Sequence, residues 1–361
     1  MKNSHIEWTD HTFNPWIGCT KVSPGCANCY AAARDKRFTG GAHWGKGAPR
    51  RRTSATNWRQ PLAWDKAATN HFQEVRMYDG TRYRGTMDEI AALNLPVDDM
   101  ALAMPSRPRV FCASLADWLD DEVPIEWLAD LIDLWRVCTN LDILALSKRL
   151  ENWRPRLQAV RNYALTHDLF DLHSFVHQWL DRADLAPPAN IWIGTSVEDQ
   201  TRADERIPLL LEIPARVRFL SCEPLLGLVD LAQACGGAAV SARLDWAIVG
   251  GESGPGARLF YVEHARSLVA QCKAAGVACF VKQMGGRIRG DWREFVPIYK
   301  FMTDLSDGGV FNFIPAVVGE RAGQPPDDDM DFQLFDAKGG DMEKWPEDLR
   351  VREFPKTEGG A

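Results

Sequence analysis

Three cysteines near the start of the chain have a spacing that is typical of a metal site. Cys19, Cys26 and Cys29 form a C-x6-C-x2-C pattern, and a Pro-Gly pair between the first two favours a turn that folds the segment back on itself. A structural zinc is normally closed by four protein ligands, whereas a [4Fe-4S] cluster held by three cysteines leaves one iron open to a ligand. The spacing alone is compatible with both metals. We call residues 18–30 the cysteine loop.

A structural zinc would need a fourth ligand from elsewhere in the chain. The candidates are His5, His11, His43 and Cys112. In this alternative the protein is a zinc-stabilised, noncatalytic nucleic-acid-binding protein. In a third alternative the metal is again structural, and Glu223 and Glu252 form the carboxylate pair of a barrel hydrolase. No G-x-S-x-G or H-E-x-x-H motif is present to support serine hydrolase or zinc protease chemistry.

Length and composition indicate a globular protein with a sizeable core. The 361 residues are 45% hydrophobic and 25% charged, with a net charge of -7. The sequence contains no apolar run of about 18 residues and no apolar signal segment at its N-terminus. Nine cysteines are too few for a disulfide scaffold and favour a reducing compartment. We therefore predict a cytoplasmic protein without membrane association.

A basic segment follows the cysteine loop. Residues 34–66 contain nine Lys and Arg against two Asp, a local charge of +7, so the rest of the chain carries -14. Arginines pair with phosphates and tryptophans stack on bases, which favours DNA, RNA or a nucleotide as the partner. The predicted substrate contacts in this segment are Arg50, Arg51, Arg52 and Trp58. The alternative is that the arginine triplet pairs with the acidic body of the protein.

Six short apolar runs, separated by segments of crossover length, predict parallel strands covered by helices. The runs are residues 109–114, 141–147, 191–196, 217–223, 244–250 and 278–283. A seventh strand is predicted within residues 13–17, where Pro15 restricts it to an edge or a short strand. Residues 124–135 and 262–275 have the period of amphipathic helices. The predicted fold class is α/β, a partial parallel (βα) barrel of the TIM-like type with helical and loop insertions.

The chain is expected to divide into a barrel and a C-terminal extension. Residues 1–290 are assigned to the barrel, with insertions at about 67–105 and 151–188 because both segments are longer than a crossover requires. Regularly spaced apolar residues in the second insertion predict one or two extra helices. Residues 291–361 are assigned to an extension packed on the barrel, with a short docked tail from Lys338.

In a parallel barrel the functional groups come from the carboxyl ends of the strands. The residues at these ends are Ser114, Asp117, Ser147, Lys148, Arg149, Ser196, Glu198, Asp199, Glu223, Gly250, Gly251, Glu252, Ser253, Lys282 and Gln283. Because side chains alternate along a strand, Glu223 is predicted to face the barrel mouth and Cys222 to face the helices. By the same alternation, only one of Lys282 and Gln283 is expected to face inward. The glycines after residue 249 suit either close approach of a ligand or a tight turn.

Several motifs together resemble a known family. The segments that carry the resemblance are residues 8–30, 48–52, 196–200, 220–227, 245–254 and 345–350. They resemble the phage-associated three-cysteine-motif proteins, an uncharacterised family that is similar to radical S-adenosylmethionine enzymes. The resemblance extends over nearly the whole chain and includes the C-x6-C-x2-C motif.

The resemblance implies a barrel of the radical S-adenosylmethionine type. Cys19, Cys26 and Cys29 would hold a [4Fe-4S] cluster, and the open iron would bind S-adenosylmethionine. Reductive cleavage would give a 5'-deoxyadenosyl radical that abstracts hydrogen from a substrate and so modifies or repairs it. The phage association, together with the basic segment, favours a nucleic acid or a nucleotide as the substrate, and a small metabolite is the alternative. An electron donor such as flavodoxin or ferredoxin would be a second partner.

Roles for the strand-end residues follow from this expectation. The expected cofactor contacts are Ser114, Ser196, Glu198, Gly250, Gly251 and Glu252. The expected catalytic residues are Glu223 and Lys282, and the further substrate contacts are Lys148 and Gln283. Lys148 and Lys282 suit an anionic group such as a carboxylate or a phosphate.

Overall fold

The structure is a computed structural model of the 361-residue chain. It describes residues 4–68, 72–77, 82–92, 100–182, 185–237, 239–240, 243–254, 256–291, 294, 298–302, 310–311, 329–334 and 338–355.

The strands are numbered in chain order. They are β1 (His11–Phe13), β2 (Trp16–Ile17), β3 (Arg51–Arg52), β4 (Phe72–Met77), β5 (Arg82–Thr86), β6 (Met100–Pro105), β7 (Arg109–Cys112), β8 (Asp142–Ser147), β9 (Ile191–Ser196), β10 (Arg218–Cys222), β11 (Trp246–Gly250), β12 (Phe260–Tyr261), β13 (Ala278–Gln283), β14 (Ile288–Asp291), β15 (Ile298–Met302), β16 (Val310–Phe311) and β17 (Asp329–Leu334).

The helices follow the same order. They are α1 (Tyr30–Thr39), α2 (Ala55–Trp58), α3 (Gln60–Ala68), α4 (Met87–Ala92), α5 (Ile125–Val137), α6 (Trp153–Thr166), α7 (Phe170–Asp181), α8 (Gln200–Glu212), α9 (Leu231–Ala234) and α10 (Val262–Ala275). The two helices predicted from period, α5 and α10, are both present.

A seven-stranded parallel sheet forms the centre of the molecule. Its strand order is β1-β7-β8-β9-β10-β11-β13, and the sheet curls into a half-barrel. Consecutive strands of a parallel sheet need crossover connections, and helices supply several of them in this protein. The predicted α/β class and the six predicted parallel strands are confirmed.

The seventh strand lies slightly earlier in the chain than predicted. β1 pairs in parallel with β7 at the edge of the sheet, whereas Trp16 and Ile17 pair antiparallel with β3 in a separate ribbon. Pro15 separates the two because proline has no N–H to donate to a strand ladder. The cysteine loop therefore starts from a ribbon beside the edge strand.

The two faces of the half-barrel carry different side chains. The convex face packs against helices in one large core that includes α5, α6 and α10. The concave face is filled by an aromatic cluster. Its buried members are Trp8, Phe111, Leu144, Trp192, Val217, Phe219, Trp246, Ile248 and Phe280. Because these side chains fill the interior toward the amino-terminal ends of the strands, the carboxyl ends are the part of the interior left for polar groups.

Both predicted insertions contain regular structure. In the first, β4, β5 and β6 form a three-stranded antiparallel sheet, which the sequence had not indicated. In the second, α6 and α7 pack on each other and on α5.

The chain after the central sheet contributes four strands of a second sheet and a docked tail, and β12, which lies between β11 and β13 in the chain, supplies the fifth strand. β12, β14, β17, β15 and β16 form a five-stranded sheet in that order. In the tail, Trp345 is fully buried and its Nε1 donates to the Gly339 carbonyl at 3.0 Å. Phe354 packs 5.5 Å from the Trp246 ring, and the Arg109 guanidinium lies 3.6 Å from its centroid. The tail therefore covers the amino-terminal end of the half-barrel.

Within the described residues, no helix has both the length and the apolar character needed to cross a bilayer.

Candidate active site

A cavity of about 280 Å³ lies at the carboxyl ends of the parallel strands and is bounded on one side by the cysteine loop. All three cysteines of the loop line it, together with residues from the ends of six strands. These strand-end residues are Ser114, Asp117, Ser147, Lys148, Arg149, Ser196, Ser221, Glu223, Gly251, Glu252, Lys282 and Gln283. The volume is close to that of small-molecule sites, which is about 300–1,000 Å³, and is too small for a nucleic-acid duplex.

The cysteines of the loop differ from the other cysteines in their exposure. Cys19, Cys26 and Cys29 are half-buried, whereas the remaining six are buried. Buried free cysteine behaves as a small apolar residue, so those six are part of the packing. Cys222 is one of them, and its side chain joins the helix-facing core as predicted from strand alternation.

Arg149 anchors the first cysteine to the barrel. Its guanidinium donates to the Cys19 Sγ at 3.4 Å and to the Thr20 carbonyl at 2.6 Å. The same guanidinium pairs with Asp117 at 3.1 Å, and both side chains are buried. Asp117 is held in turn by the Ser147 hydroxyl at 2.6 Å. A buried charge pair whose remaining atoms are also bonded is rigid, so the position of Cys19 is fixed from β8.

Glu198 anchors the middle of the loop and does not line the cavity. It is fully buried, pairs with Arg206 at 2.8 Å and accepts a hydrogen bond from the Ser23 hydroxyl at 2.5 Å. A Cβ added to Gly25 would lie 2.3 Å from the Glu198 carboxylate, so only glycine fits there. The expected cofactor contact at Glu198 is therefore corrected, because its carboxylate is occupied by the loop and by α8.

Glu252 anchors the end of the loop. Its carboxylate accepts hydrogen bonds from the Asn28 side chain at 2.9 Å and from the Arg258 backbone at 3.0 Å, and it pairs with the Arg258 guanidinium. Arg258 also donates to the Pro24 carbonyl at 3.0 Å. Burial raises the pKa of Glu252, but the hydrogen bonds from Arg258 and Asn28 outweigh it and leave this carboxyl below its ordinary value of 4.5. Glu252 therefore lines the cavity, but its carboxylate is already engaged by Arg258 and Asn28.

The thiols of the loop have unequal acidities. Burial raises the pKa of Cys19 to about 12, and the nearby Asp117 carboxylate acts in the same direction. Burial also raises the pKa of Cys26, but the Lys148 ammonium and hydrogen bonds from Val22 and Ser23 outweigh it, which leaves Cys26 below its ordinary value of 9.0. Of these two thiols, Cys26 therefore ionises more readily.

Two lysines carry charge into the cavity from the concave face. The Lys282 Nζ lies 2.9 Å from the Glu223 carboxylate, and the Lys148 Nζ donates to the Ser196 hydroxyl at 2.8 Å. All four side chains line the cavity. Glu223 thus lies at the barrel mouth, as strand alternation predicts. The Glu223–Lys282 pair remains partly exposed, at 14% and 25% of their side chains.

Lys282 and Gln283 both line the cavity, which corrects the expectation that only one of them would. The register between β11 and β13 shifts between Val249 and Gly250, so that Gly250 pairs with Gln283. A bulge of this kind turns a side chain that alternation would place on the other face. The Gln283 amide donates to the Gly251 carbonyl at 2.7 Å.

Gly250 is explained by packing and does not line the cavity. A Cβ at this position would lie 2.8 Å from the Glu223 carboxylate, so the missing side chain leaves room for Glu223. Gly251 does line the cavity, but its Cβ position lies 2.4 Å from the Met284 carbonyl. The structure supports a packing role for Gly250, and a cofactor contact at this residue stays a prediction.

Ser114 lies at the edge of the cavity beside Tyr30. The Ser114 hydroxyl is hydrogen-bonded to the Asn14 side chain, and its carbonyl accepts from the Tyr30 hydroxyl at 2.5 Å. Tyr30 directly follows the last cysteine and lines the cavity, although 59% of it is exposed.

The arginine triplet is largely occupied by protein partners. The Arg50 side chain is fully buried, pairs with Asp120 at 2.7 Å and Glu122 at 3.2 Å, and donates to the Thr20 hydroxyl at 2.8 Å. Its predicted substrate contact is corrected, because this guanidinium fixes the cysteine loop.

The other predicted contacts of the basic segment also lie outside the cavity lining. Arg52 stacks on Trp58 at 4.3 Å and pairs with Asp130 at 2.6 Å, which agrees with the alternative that the triplet pairs with the acidic body. The Trp58 Nε1 donates to the Pro15 carbonyl. Arg51 is exposed.

None of the four residues considered as a fourth zinc ligand lines the cavity. Cys112 is fully buried in the helix-facing core, and the His11 ring stacks on Trp64 at 4.5 Å. The His43 Nδ1 is bonded to Asp35 at 2.9 Å. Within the described residues, no three His, Cys, Asp or Glu side chains are already arranged to hold a metal ion. The cysteine and histidine side chains that line the cavity are thus the three thiols of the loop, and thiols suit soft metals and iron–sulfur clusters.

Several residues that organise this site had no role assigned from the sequence. Asp117 and Arg149 stand out in the sequence only by their position at strand ends, Asn28 and Tyr30 only by their position next to Cys29, and Arg258 does not stand out. Their partners are far apart in the chain, 130 residues for Arg149 and Cys19 and 224 residues for Asn28 and Glu252. The only local signal is that Asn28 and Tyr30 flank Cys29.

A family model with the description "Protein of unknown function (DUF5131)" matches residues 3–315. The match includes the cysteine loop and every strand of the central sheet. No curated protein matches the chain, and no solved structure matches it either.

Proposed function

Because the chain belongs to the DUF5131 family of proteins of unknown function, its activity has to be inferred from its site, and we propose a radical S-adenosylmethionine enzyme. Cys19, Cys26 and Cys29 would hold a [4Fe-4S] cluster, with S-adenosylmethionine in the cavity beside it. A nucleic acid or a nucleotide would be the substrate, and flavodoxin or ferredoxin would supply the electron.

One observation carries this proposal. The only half-exposed thiols among the nine cysteines lie together at the mouth of a parallel half-barrel, and they line one cavity with Glu223 and Lys282. Three thiols with no histidine and no fourth cysteine in the lining favour a cluster with an open iron over a closed structural zinc. When bound, such a cluster supplies the electron and the open iron that S-adenosylmethionine chemistry requires.

The protein's own residues would bind and orient the reactants. Lys148 and Lys282 bring two ammonium groups into the cavity, where they suit a carboxylate or a phosphate. Glu223, paired with Lys282, can accept from an amine or a hydroxyl and can hold a proton at its carboxylate. Ser114, Ser196, Gly251 and Gln283 are the further polar contacts that the lining offers.

Glu252 and Glu198 have a different role in this proposal. They hold the cysteine loop through Asn28 and Ser23 and so would restrain the segment that carries the sulfurs. The hydrolase alternative needs Glu223 and Glu252 as a pair of working carboxylates, whereas Glu252 is bound by Arg258 and Asn28.

Turnover of S-adenosylmethionine tests the proposal. The full chain, purified and reconstituted without oxygen and then reduced, is expected to release 5'-deoxyadenosine and methionine. The assay is run alone and with single-stranded DNA, single-stranded RNA or nucleotides, and the true substrate is expected to stimulate the reaction.

Matched variants make the result specific. Cys29→Ala is expected to abolish turnover, whereas Cys235→Ala, a buried cysteine outside the cavity, is expected to retain it. Glu223→Gln is expected to keep the cluster but to lower turnover. If the wild-type chain carries a cluster and leaves S-adenosylmethionine intact under every condition, the proposal is wrong.

A further inference from the structure

The exposed side of helix α1 forms a stripe that starts at the cavity. Tyr30, Arg34, Arg37 and Phe38 are spaced at i, i+4, i+7 and i+8 and therefore share one face of the helix. Tyr30 lines the cavity, and Phe38 lies eight residues further along, about 12 Å at 1.5 Å per residue. We call these four residues the α1 stripe.

The stripe is exposed because the helix packs through its other side. Ala31 and Asp35 are the buried residues of α1. Phe38 is 69% exposed and Tyr30 is 59% exposed, although both are large aromatic side chains. Both rings therefore present aromatic surface that a ligand can contact.

The charge of this surface is entirely positive. Arg34, Lys36 and Arg37 are exposed, and no carboxylate pairs with them in the part of the chain that the structure describes. The one acid of the helix, Asp35, is 5% exposed and is bound by Thr39 and His43. The stripe is thus a local cationic surface on a chain with a net charge of -7.

The guanidiniums and the ring are arranged together. The Arg34 and Arg37 guanidiniums each lie 5.5 Å from the centroid of the Phe38 ring. A flat aromatic face flanked by cations suits a base stacked on the ring and phosphates paired with the arginines. A duplex keeps its bases stacked inside, whereas a single strand offers them to such a ring.

We propose that the α1 stripe binds single-stranded nucleic acid and leads it to the cavity. This inference rests on the proposed function in one respect, which is that the bound strand is the substrate of the enzyme. A nucleotide in the cavity would lie beside Tyr30, and the adjoining strand would follow Arg34, Arg37 and Phe38 along the helix. The binding role thereby moves from Arg50, Arg52 and Trp58, which the protein itself engages, to residues that remain open.

Oligonucleotide binding by the full chain tests this proposal. The probes are fluorescein-labelled, mixed-sequence single-stranded DNA and RNA of about 16 nucleotides, the upper site size of a single binding module. Affinity is measured by anisotropy over a series of salt concentrations, with unlabelled duplex as a competitor. Duplex is expected to compete poorly.

Two variants separate stacking from charge. Phe38→Ala is expected to weaken binding at least about fivefold through lost stacking, with an unchanged salt slope. The double variant Arg34→Ala/Arg37→Ala is expected to reduce the slope of log K against log salt by about 1.4, or about 0.7 for each lost phosphate contact. The matched control is Arg154→Ala, an exposed arginine 5.6 Å from the Trp153 ring on α6, and it is expected to bind like the wild type.

Three results would overturn the inference. The first is that the wild type does not bind single strands. The second is that the stripe variants lose no more affinity than Arg154→Ala. The third is that an acidic protein such as a flavodoxin binds through the stripe while oligonucleotides do not. The same titration with Cys26→Ala separates this inference from the proposed function, because binding to the stripe needs no cluster. If oligonucleotides bind through the stripe but S-adenosylmethionine is not turned over, only the proposed function is refuted. If S-adenosylmethionine is turned over but oligonucleotides do not bind, only the proposed role of the stripe is refuted.

Discussion

The acidic residues around the cavity do different work according to their partners. The Glu252 and Glu198 carboxylates are bound by residues that hold the cysteine loop, whereas the Glu223 carboxylate pairs with Lys282 and stays partly exposed. All three residues are glutamates, and each lies just after the end of a parallel strand. The partners alone distinguish an anchoring carboxylate from one that is free to meet a ligand.

The pH dependence of stability reports on the Glu252 anchor. Its pKa in the folded protein lies below its ordinary value of 4.5, so the anchor is fully present above pH 4.5 and is lost as the pH falls through the folded-state pKa. Glu252→Gln is expected to lower the unfolding free energy by about 2 kcal/mol near neutral pH. The difference in unfolding free energy between this variant and the wild type should then disappear in acid, as measured by urea unfolding at successive pH values.

The control for this prediction is Glu7→Gln. Glu7 pairs with Arg352 at 3.0 Å but is 44% exposed, so its loss is expected to cost about 0.5 kcal/mol or less. If the difference in unfolding free energy between Glu252→Gln and the wild type stays constant down to low pH, the Glu252 carboxylate is not a charged anchor of the loop.

Residue roles could be predicted from the sequence only where they depend on local period. Alternation along β10 was enough to turn Glu223 inward and Cys222 outward. The burial of Arg50 could not be seen, because its partner Asp120 lies 70 residues further along. The inward turn of both Lys282 and Gln283 depends on a register shift that no sequence pattern marked.

At the scale of elements, the cysteine loop is a segment held at three points. Arg149 holds its start, Glu198 its middle and Glu252 its end. Each anchor comes from the end of a different parallel strand, so the loop can keep its shape only on the assembled sheet. We infer that this arrangement sets the positions of the three sulfurs.

Gly25 is the most sensitive position of the loop. An added Cβ would lie 2.3 Å from the Glu198 Oε1, which accepts from Ser23, and Arg206 holds the other oxygen of the same carboxylate. Gly25→Ala is therefore expected to cost about 1–3 kcal/mol of unfolding free energy and to lower the metal content of the purified protein.

Gly227→Ala is the matched control for this change. Its added Cβ would lie 3.4 Å from the Asp199 Cβ, an ordinary contact, so stability and metal content should stay near those of the wild type. Equal metal content in Gly25→Ala and Gly227→Ala would show that the shape of the loop does not govern the site.

Among the elements, the sequence predicted the six long strands well, because each is a near-continuous apolar run. It misplaced the edge strand by a few residues, since Pro15 divides one apolar stretch between β1 and β2. The β4–β6 sheet was not predicted within the first insertion, because antiparallel pairing between short segments leaves only a weak period-two pattern.

At the scale of the whole molecule, the two ends of the half-barrel have separate tasks. The carboxyl ends bear the cavity, and the tail at residues 338–355 packs against the side and the amino-terminal end. The sequence predicted a docked tail but not what it covers, because that contact joins Phe354 to Trp246 and Arg109 across most of the chain.

The tail is expected to be part of the cooperative fold. Trp345 is fully buried in the main core, so Trp345→Ala should lower the unfolding free energy by about 3–5 kcal/mol. Phe170→Ala, at a side chain that is 63% exposed, should change it by about 0.5 kcal/mol or less. Denaturant unfolding followed by tryptophan fluorescence compares the two. A small effect of Trp345→Ala, or a separate early transition, would mean that the tail is only loosely attached.

The metal content of the chain purified without oxygen decides between an open iron–sulfur cluster and a structural zinc. We expect a brown protein with iron and acid-labile sulfide in equal amounts, about four of each per chain, and the broad visible absorption of an iron–sulfur cluster. Cys26→Ala should lose the iron, the sulfide and the colour, and Cys235→Ala should keep them. A colourless wild-type protein with a single zinc per chain, lost in Cys26→Ala, would refute the cluster and with it the proposed chemistry.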